Sequence, residues 1–179
     1  MKTVFKLFFT LVLLTGIELA GMGQDRGNVI KINILSPILK TINLQYEKKL
    51  NSSSSFQFGF FYTAVSVGST DFSGFGITPE YRFYLSNTEA PKGVYVAPFV
   101  RYQNFTLTDG IDKGTLSTFG GGLILGKQWL FKDRIALDIF LGPSYASGSV
   151  EVTSGSNSFD TGSASGFGLR AGICFGLAF

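Results

Sequence analysis

From Val29 onward apolar residues recur at every second position. That is the period of a strand with two unlike faces, not the period of about 3.6 expected for a helix. One set runs Ile30, Ile32, Ile34, then Ile42, Leu44, Tyr46, then Phe56, Phe58, Phe60, Tyr62; Lys31, Asn33, Asn43, Gln45, Glu47 and Gln57 stand between them. The alternation resumes as Phe75, Ile77, Pro79, Tyr81, Phe83 against Gly76, Thr78, Glu80, Arg82, Tyr84. It continues as Val94, Val96, Pro98, Val100, Tyr102 against Ala97, Phe99, Arg101, Gln103. Three later runs, Phe119 to Trp129, Ile135 to Tyr145 and Phe167 to Phe179, repeat the pattern with many glycines in the polar set. Turn-type clusters separate the runs: Ser36-Pro37, Asn51 to Ser55, Gly68 to Ser73, Ser86 to Gly93, Asp109 to Gly114, Lys132-Asp133-Arg134 and Glu151 to Ser165. These breaks leave about eight strands, nearly all reaching the roughly 9 to 11 residues that cross a bilayer when tilted. The expected fold is therefore all-β, a single antiparallel up-and-down transmembrane β-barrel of about eight strands.

The polar set decides which face is inside. It places Lys31, Glu47, Glu80, Arg82, Arg101, Asp138 and Arg170 at strand-centre positions, with Gly and Ser dominating between them. A soluble barrel would show a richer, Lys-heavy outer surface. A narrow lumen instead needs small residues and charges that pair with one another, while a face rich in Phe and Tyr suits lipid. These seven charges are thus expected to form a lumen charge network. On the same inward register lie Phe61, Phe99 and Phe140.

Composition narrows the chemistry. The 179 residues include 23 Gly and 19 Phe, no His and one Cys, and only 15% are charged. Without His, triads and most zinc sites are excluded; with one Cys, so is an intrachain disulfide. The net charge of +3 is too weak to argue for nucleic acid. Residues 1–23 carry Lys2 and Lys6, an apolar run from Val4 to Leu14 and the small residues Gly21 and Gly23, which is signal-peptide anatomy. The apolar run falls short of the roughly 20 residues a spanning helix needs. Cleavage after Gly23 leaves 24–179 as the barrel domain, destined for the outer membrane of a Gram-negative envelope.

The chain from 24 onward resembles the small eight-stranded outer-membrane barrels of the OmpA-transmembrane and OmpX kind. It is closer still to a poorly characterised family of Bacteroidetes-type outer-membrane barrels in which a Pro-Glu-x-Arg-x-Tyr strand recurs, here Pro79-Glu80-Tyr81-Arg82-Phe83-Tyr84. The alternating terminus Phe175, Leu177, Phe179 is similar to the signal read by the outer-membrane assembly machinery, although Gly172 and Gly176 flank Cys174 where that signal has its glycine. The resemblance implies outer-membrane lipid and that machinery as partners.

Other motifs weigh less. Gly121 to Lys127 spells G-x-x-x-x-G-K, but Gln128 stands where Ser or Thr would hold magnesium and no helix follows, so small inward residues are the better account. Cys174 reads as a packed small side chain. Glu47, Glu80 and Asp138 could serve acid and base chemistry, yet four inward cations explain them by neutralisation. The loops away from the termini carry Asp71, Asp109, Asp112, Glu151 and Asp160 against Lys113, a small acidic rim. Pro79 and Pro98, on adjacent strands, fall within about one register step of each other and mark a possible lateral weak point, since neither can donate a ladder bond. The sequence thus points to a non-enzymatic outer-membrane barrel with a filled lumen, no cofactor and no metal, in a structural or surface-interaction role. The alternatives are binding or lateral transport of a small apolar or lipid molecule, and a soluble periplasmic carrier of the lipocalin kind.

Overall fold

The computed structural model describes residues 27–68, 70–109, 112–154 and 163–179. The expected export segment, 1–23, lies outside them. Eight strands follow one another in order: β1 (Asn28–Asn33), β2 (Thr41–Asn51), β3 (Ser54–Val67), β4 (Thr70–Tyr84), β5 (Gly93–Asp109), β6 (Asp112–Phe131), β7 (Ile135–Ser154) and β8 (Ser163–Ala178). Each pairs antiparallel with its sequence neighbours, and β1 also pairs with β8 from Val29↔Ala178 to Asn33↔Cys174. The ring is closed, and every strand has two partners along part of its length. Among the described residues no helix is long and apolar enough to cross a membrane.

Local chemistry sets the reversals. After Asn51 the chain turns within two residues, and the Asn51 side-chain oxygen accepts from the Ser53 backbone N–H at 2.9 Å. Lys132 and Asp133 both take positive φ, the geometry of a tight hairpin whose twist matches its strands. Pro37 sits in a short 3-10 helix, Ser36–Leu39, which ends at a left-handed Lys40. That early stop leaves β1 only six residues long.

Three expected loops are much shorter than their composition suggests. Thr70 to Ser73 are strand and pair with Thr106 to Asp109. Asp112 to Gly114 belong to β6, and both flanks of the Glu151 to Ser165 segment are strand. Ser, Thr, Asp and Gly read as turn residues, but beyond the apolar band a ladder needs only backbone partners and tolerates them. Asp71, Asp109, Asp112 and Glu151 therefore sit on strand extensions instead of loops, while Asp160 is outside the described residues. Strands β3 to β8 rise past the end of β1, so over residues 163–172 β8 pairs, among the described residues, with β7 alone.

Burial follows parity. Ile30, Leu44, Phe58, Phe75, Val100, Leu125, Ile139 and Phe175 are exposed, whereas Lys31, Gln45, Gln57, Glu80, Arg82, Gln128 and Asp138 are buried. The apolar face is thus outside and the charged face inside. Inward glycines make room for inward side chains: a Cβ at Gly126 would strike the Tyr95 ring, one at Gly76 the Phe61 ring, one at Gly172 the Phe140 ring and one at Gly176 the Lys31 stem.

The prolines lie further apart than expected. Pro79 stands opposite Val100 and Pro98 opposite Tyr81, an offset of two positions that follows from the flanking pairs Ile77↔Tyr102, Glu80↔Phe99 and Phe83↔Val96. Between Ile77 and Phe83 only Glu80↔Phe99 remains paired on this seam. Antiparallel pairing explains the gaps: the absent pairs each need an N–H from residue 79 or 98, while Glu80↔Phe99 needs neither. Ladders on the outer sides, Phe58↔Pro79 and Pro98↔Leu123, are continuous. Both missing donors therefore fall on the single seam between β4 and β5.

Candidate functional site

The centre of the lumen is an ion-paired cluster built from five strands. Lys31 of β1 donates to Glu47 at 2.6 Å, to Asp138 at 3.0 Å and to the Gln128 side-chain oxygen at 2.7 Å. Arg82 of β4 reaches Glu80 at 2.6 Å through Nε, and Nη1 reaches Asp138 at 2.8 Å and Glu47 at 3.3 Å. All five ionised side chains have zero exposure. Arg170 of β8 holds the second oxygen of Glu80 at 2.7 Å. Pairing of this density is what makes buried charge tolerable, since removal of one partner strands the others in a medium that cannot solvate them.

Neutral groups complete the cluster. Tyr84 donates to Glu47 and Tyr95 to Asp138, at 2.6 and 2.7 Å, and Ser55 donates to Glu47. The Arg82 guanidinium also lies 4.2 Å from the Tyr95 ring centre. Gln128 accepts from both cations and donates to the Pro91 carbonyl at 2.6 Å. Pro91 belongs to the connection 85–92, whose Ala90 is buried among Tyr84, Tyr95 and Ile124, so this loop folds under the lumen at the end where the termini lie. Tyr95 and Gln128 carry as much of the geometry as the charges do. Alternation places Gln128 inward with Gly126, and the parity of Tyr95 with Ala97 is the signal that could have found Tyr95; the bonding partners of both had no signal.

Six of the seven expected network residues meet in this way. Arg101 does not. It faces inward from β5, but both Glu80 oxygens are taken by Arg82 and Arg170, and Arg101 has no ion pair among the described residues. Its hydrogen bond runs from Nε to Thr78 Oγ1 at 3.1 Å. Its register places it opposite Thr78, beyond the reach of Glu47 and Asp138, a stagger that alternation alone cannot reveal. The inward phenylalanines also differ from an open apolar cavity. Arg170 lies 4.5 Å from the Phe99 ring centre and 4.8 Å from that of Phe140, and Arg101 lies 5.9 and 5.8 Å from Phe61 and Phe99. The aromatic faces are engaged by guanidinium, an attraction that strengthens where water is excluded.

The other singled-out residues are readily placed. Gly121 to Lys127 is β strand, with Gly122 and Gly126 inward and Lys127 outward over the Trp129 ring, so no phosphate-cradling loop exists there. Cys174 is buried in the lumen. Phe175 and Leu177 point outward, and Phe179 exchanges two backbone hydrogen bonds with Asn28 at the closing seam. Among the described residues no group of His, Cys, Asp and Glu is arranged to hold a metal ion.

The fold and this interior define a class: a closed ring of eight antiparallel strands, apolar outside and ion-paired inside. Over residues 7–175 the chain matches the family described as Protein of unknown function (DUF3575), and it belongs to that family. No curated protein and no solved structure matches it.

Proposed function

We propose that this protein is an integral outer-membrane β-barrel of the OmpA-transmembrane and OmpX kind, exported by a cleaved signal peptide and serving a structural or surface-interaction role, not a catalytic one. The observation that carries this reading is the inverted distribution of polarity: Leu125 is 58% exposed and Phe58 42%, while Lys31, Glu47, Arg82 and Asp138 have no exposure. In water such an exterior has no reason to stay dispersed, since large contiguous apolar surface drives association. In a bilayer the same exterior is solvated by lipid, and ring closure satisfies the backbone groups that lipid cannot. A soluble carrier of the lipocalin kind calls for the opposite arrangement, an apolar interior that admits a ligand. The three lumen carboxylates are each held by cations, which leaves none as a free base. The cluster and the tucked 85–92 connection fill the lumen and speak against a diffusion pore.

The test is fractionation of cells producing the full chain, followed by electrophoresis of boiled and unboiled samples. The expected result is outer-membrane recovery that survives alkaline wash, with a mobility shift on boiling. Release by the wash overturns the membrane reading, and a large stable conductance in planar bilayers overturns the filled lumen.

A further inference from the structure

The seven charges in the middle of the lumen do not balance. Lys31, Arg82, Arg101 and Arg170 face Glu47, Glu80 and Asp138, and the three carboxylates are consumed by the other three cations. The surplus is located at Arg101. Arg101 lines a recess of about 220 Å³ whose polar walls are Asn33, Ser36, Asn43 and Arg170 and whose apolar walls include Phe61, Phe140 and Leu169, and no carboxylate lines it. Arg101 and Arg170 share the Phe99 ring and both line this recess; Arg170 is paired with Glu80, while Arg101 has no ion pair among the described residues. Like charges brought together in a partly buried site repel, and an anion seated between them removes that cost.

We propose that this recess binds an oxyanion, a carboxylate or phosphate, held by Arg101 and the free edge of Arg170 with the amides of Asn33 and Asn43 as neutral donors. Each part is built for it. The guanidinium fork of Arg101 spends only Nε on Thr78, and its remaining donors have no partner among the described residues. Planar forks of this kind match carboxylate and phosphate oxygens in pairs. Arg170 is fixed in place by Glu80 and two aromatic faces, so it needs little ordering when the anion arrives. Access comes from the fold: β1 ends at Asn33, β8 continues without it, and the exposed Leu169 stands at the mouth. An anion carried on an apolar chain and a free anion meet the same cations, and the apolar mouth suits the first. The site belongs to the ring itself and does not depend on the bilayer.

Isothermal titration of the full chain in neutral detergent tests this, with sodium phosphate in one arm and a single-chain lysophosphatidic acid, below its micellar concentration, in the other. Saturable binding is expected in at least one arm, weakened at least about tenfold by Arg101→Gln and less by Arg101→Lys, which keeps the charge and loses the fork. Asn43→Leu, which leaves the contacts of both arginines intact, is expected to weaken binding severalfold and gives an independent readout should Arg101→Gln fold poorly. Tighter binding of the lipid phosphate assigns the site to a headgroup, and equal binding assigns it to a free oxyanion. The proposal is overturned if neither probe binds saturably, or if Arg101→Gln or Asn43→Leu binds as the wild type does.

Discussion

Replacing Pro79 and Pro98 together with Val probes the seam between β4 and β5 directly. Each substitution supplies one N–H, the first facing the Val100 carbonyl and the second the Tyr81 carbonyl, so the interrupted pairs between Ile77 and Phe83 can form. A restored amide bond contributes about 0.5–1.5 kcal/mol net, or about 1–3 kcal/mol for two. Against this, proline restrains the unfolded chain, and its loss costs about 0.4–1 kcal/mol per site. The two terms nearly cancel in a global unfolding measurement, which is therefore the wrong assay. Local hydrogen exchange is the right one, because opening of this seam breaks the restored bonds directly. The amides to follow are Val100 and Tyr81, which in this register donate to the Pro79 and Pro98 carbonyls. Each gains about tenfold in protection for every 1.4 kcal/mol added to the seam. The Arg101 bond to Thr78 straps the same gap with a side chain, so Thr78→Val in the wild-type background is expected to shift exchange the other way. Unchanged exchange at Val100 and Tyr81 in the double variant refutes the assignment of both missing donors to one seam, and with it the lateral weak point.

Two further substitutions test the packing of the lumen. Arg82→Met leaves three buried carboxylates to two cations, one negative charge in excess, and is expected to cost about 3–5 kcal/mol in denaturant unfolding, whereas Arg82→Met with Asp138→Asn leaves only the matched pairs Lys31–Glu47 and Arg170–Glu80 and is expected to be milder; equal effects would mean that water reaches the cluster. Gly126→Ala drives a methyl group into the Tyr95 ring and is expected to cost about 1–3 kcal/mol in the same assay, while Gly166→Ala, with open space around it, is expected to stay within about 0.5 kcal/mol of wild type.

Alternation made the faces of this ring legible, because parity is a local property: Lys31 faces inward for the same reason that Ile30 and Ile32 face outward, and no knowledge of other strands is needed. The reversals were legible too, though polar strand extensions such as Thr70 to Ser73 masqueraded as loop. Stagger is another matter. Which inward residues share a level depends on how each strand slides against the next, and that is fixed over the whole circuit by five pairs between β1 and β8. Three features rest on stagger alone: Arg101 falls beside Thr78 and away from the carboxylates, Tyr95 lies across Gly126, and the prolines stand two positions apart. The connection 85–92 conceals this most effectively, since eight residues of loop allow several registers. Alternation located seven inward charges but could not say which would lack a partner. That distinction carries the functional consequence, because a lumen in which every charge was matched would have no reason to receive an anion, and this one has a cation left over beside an open recess.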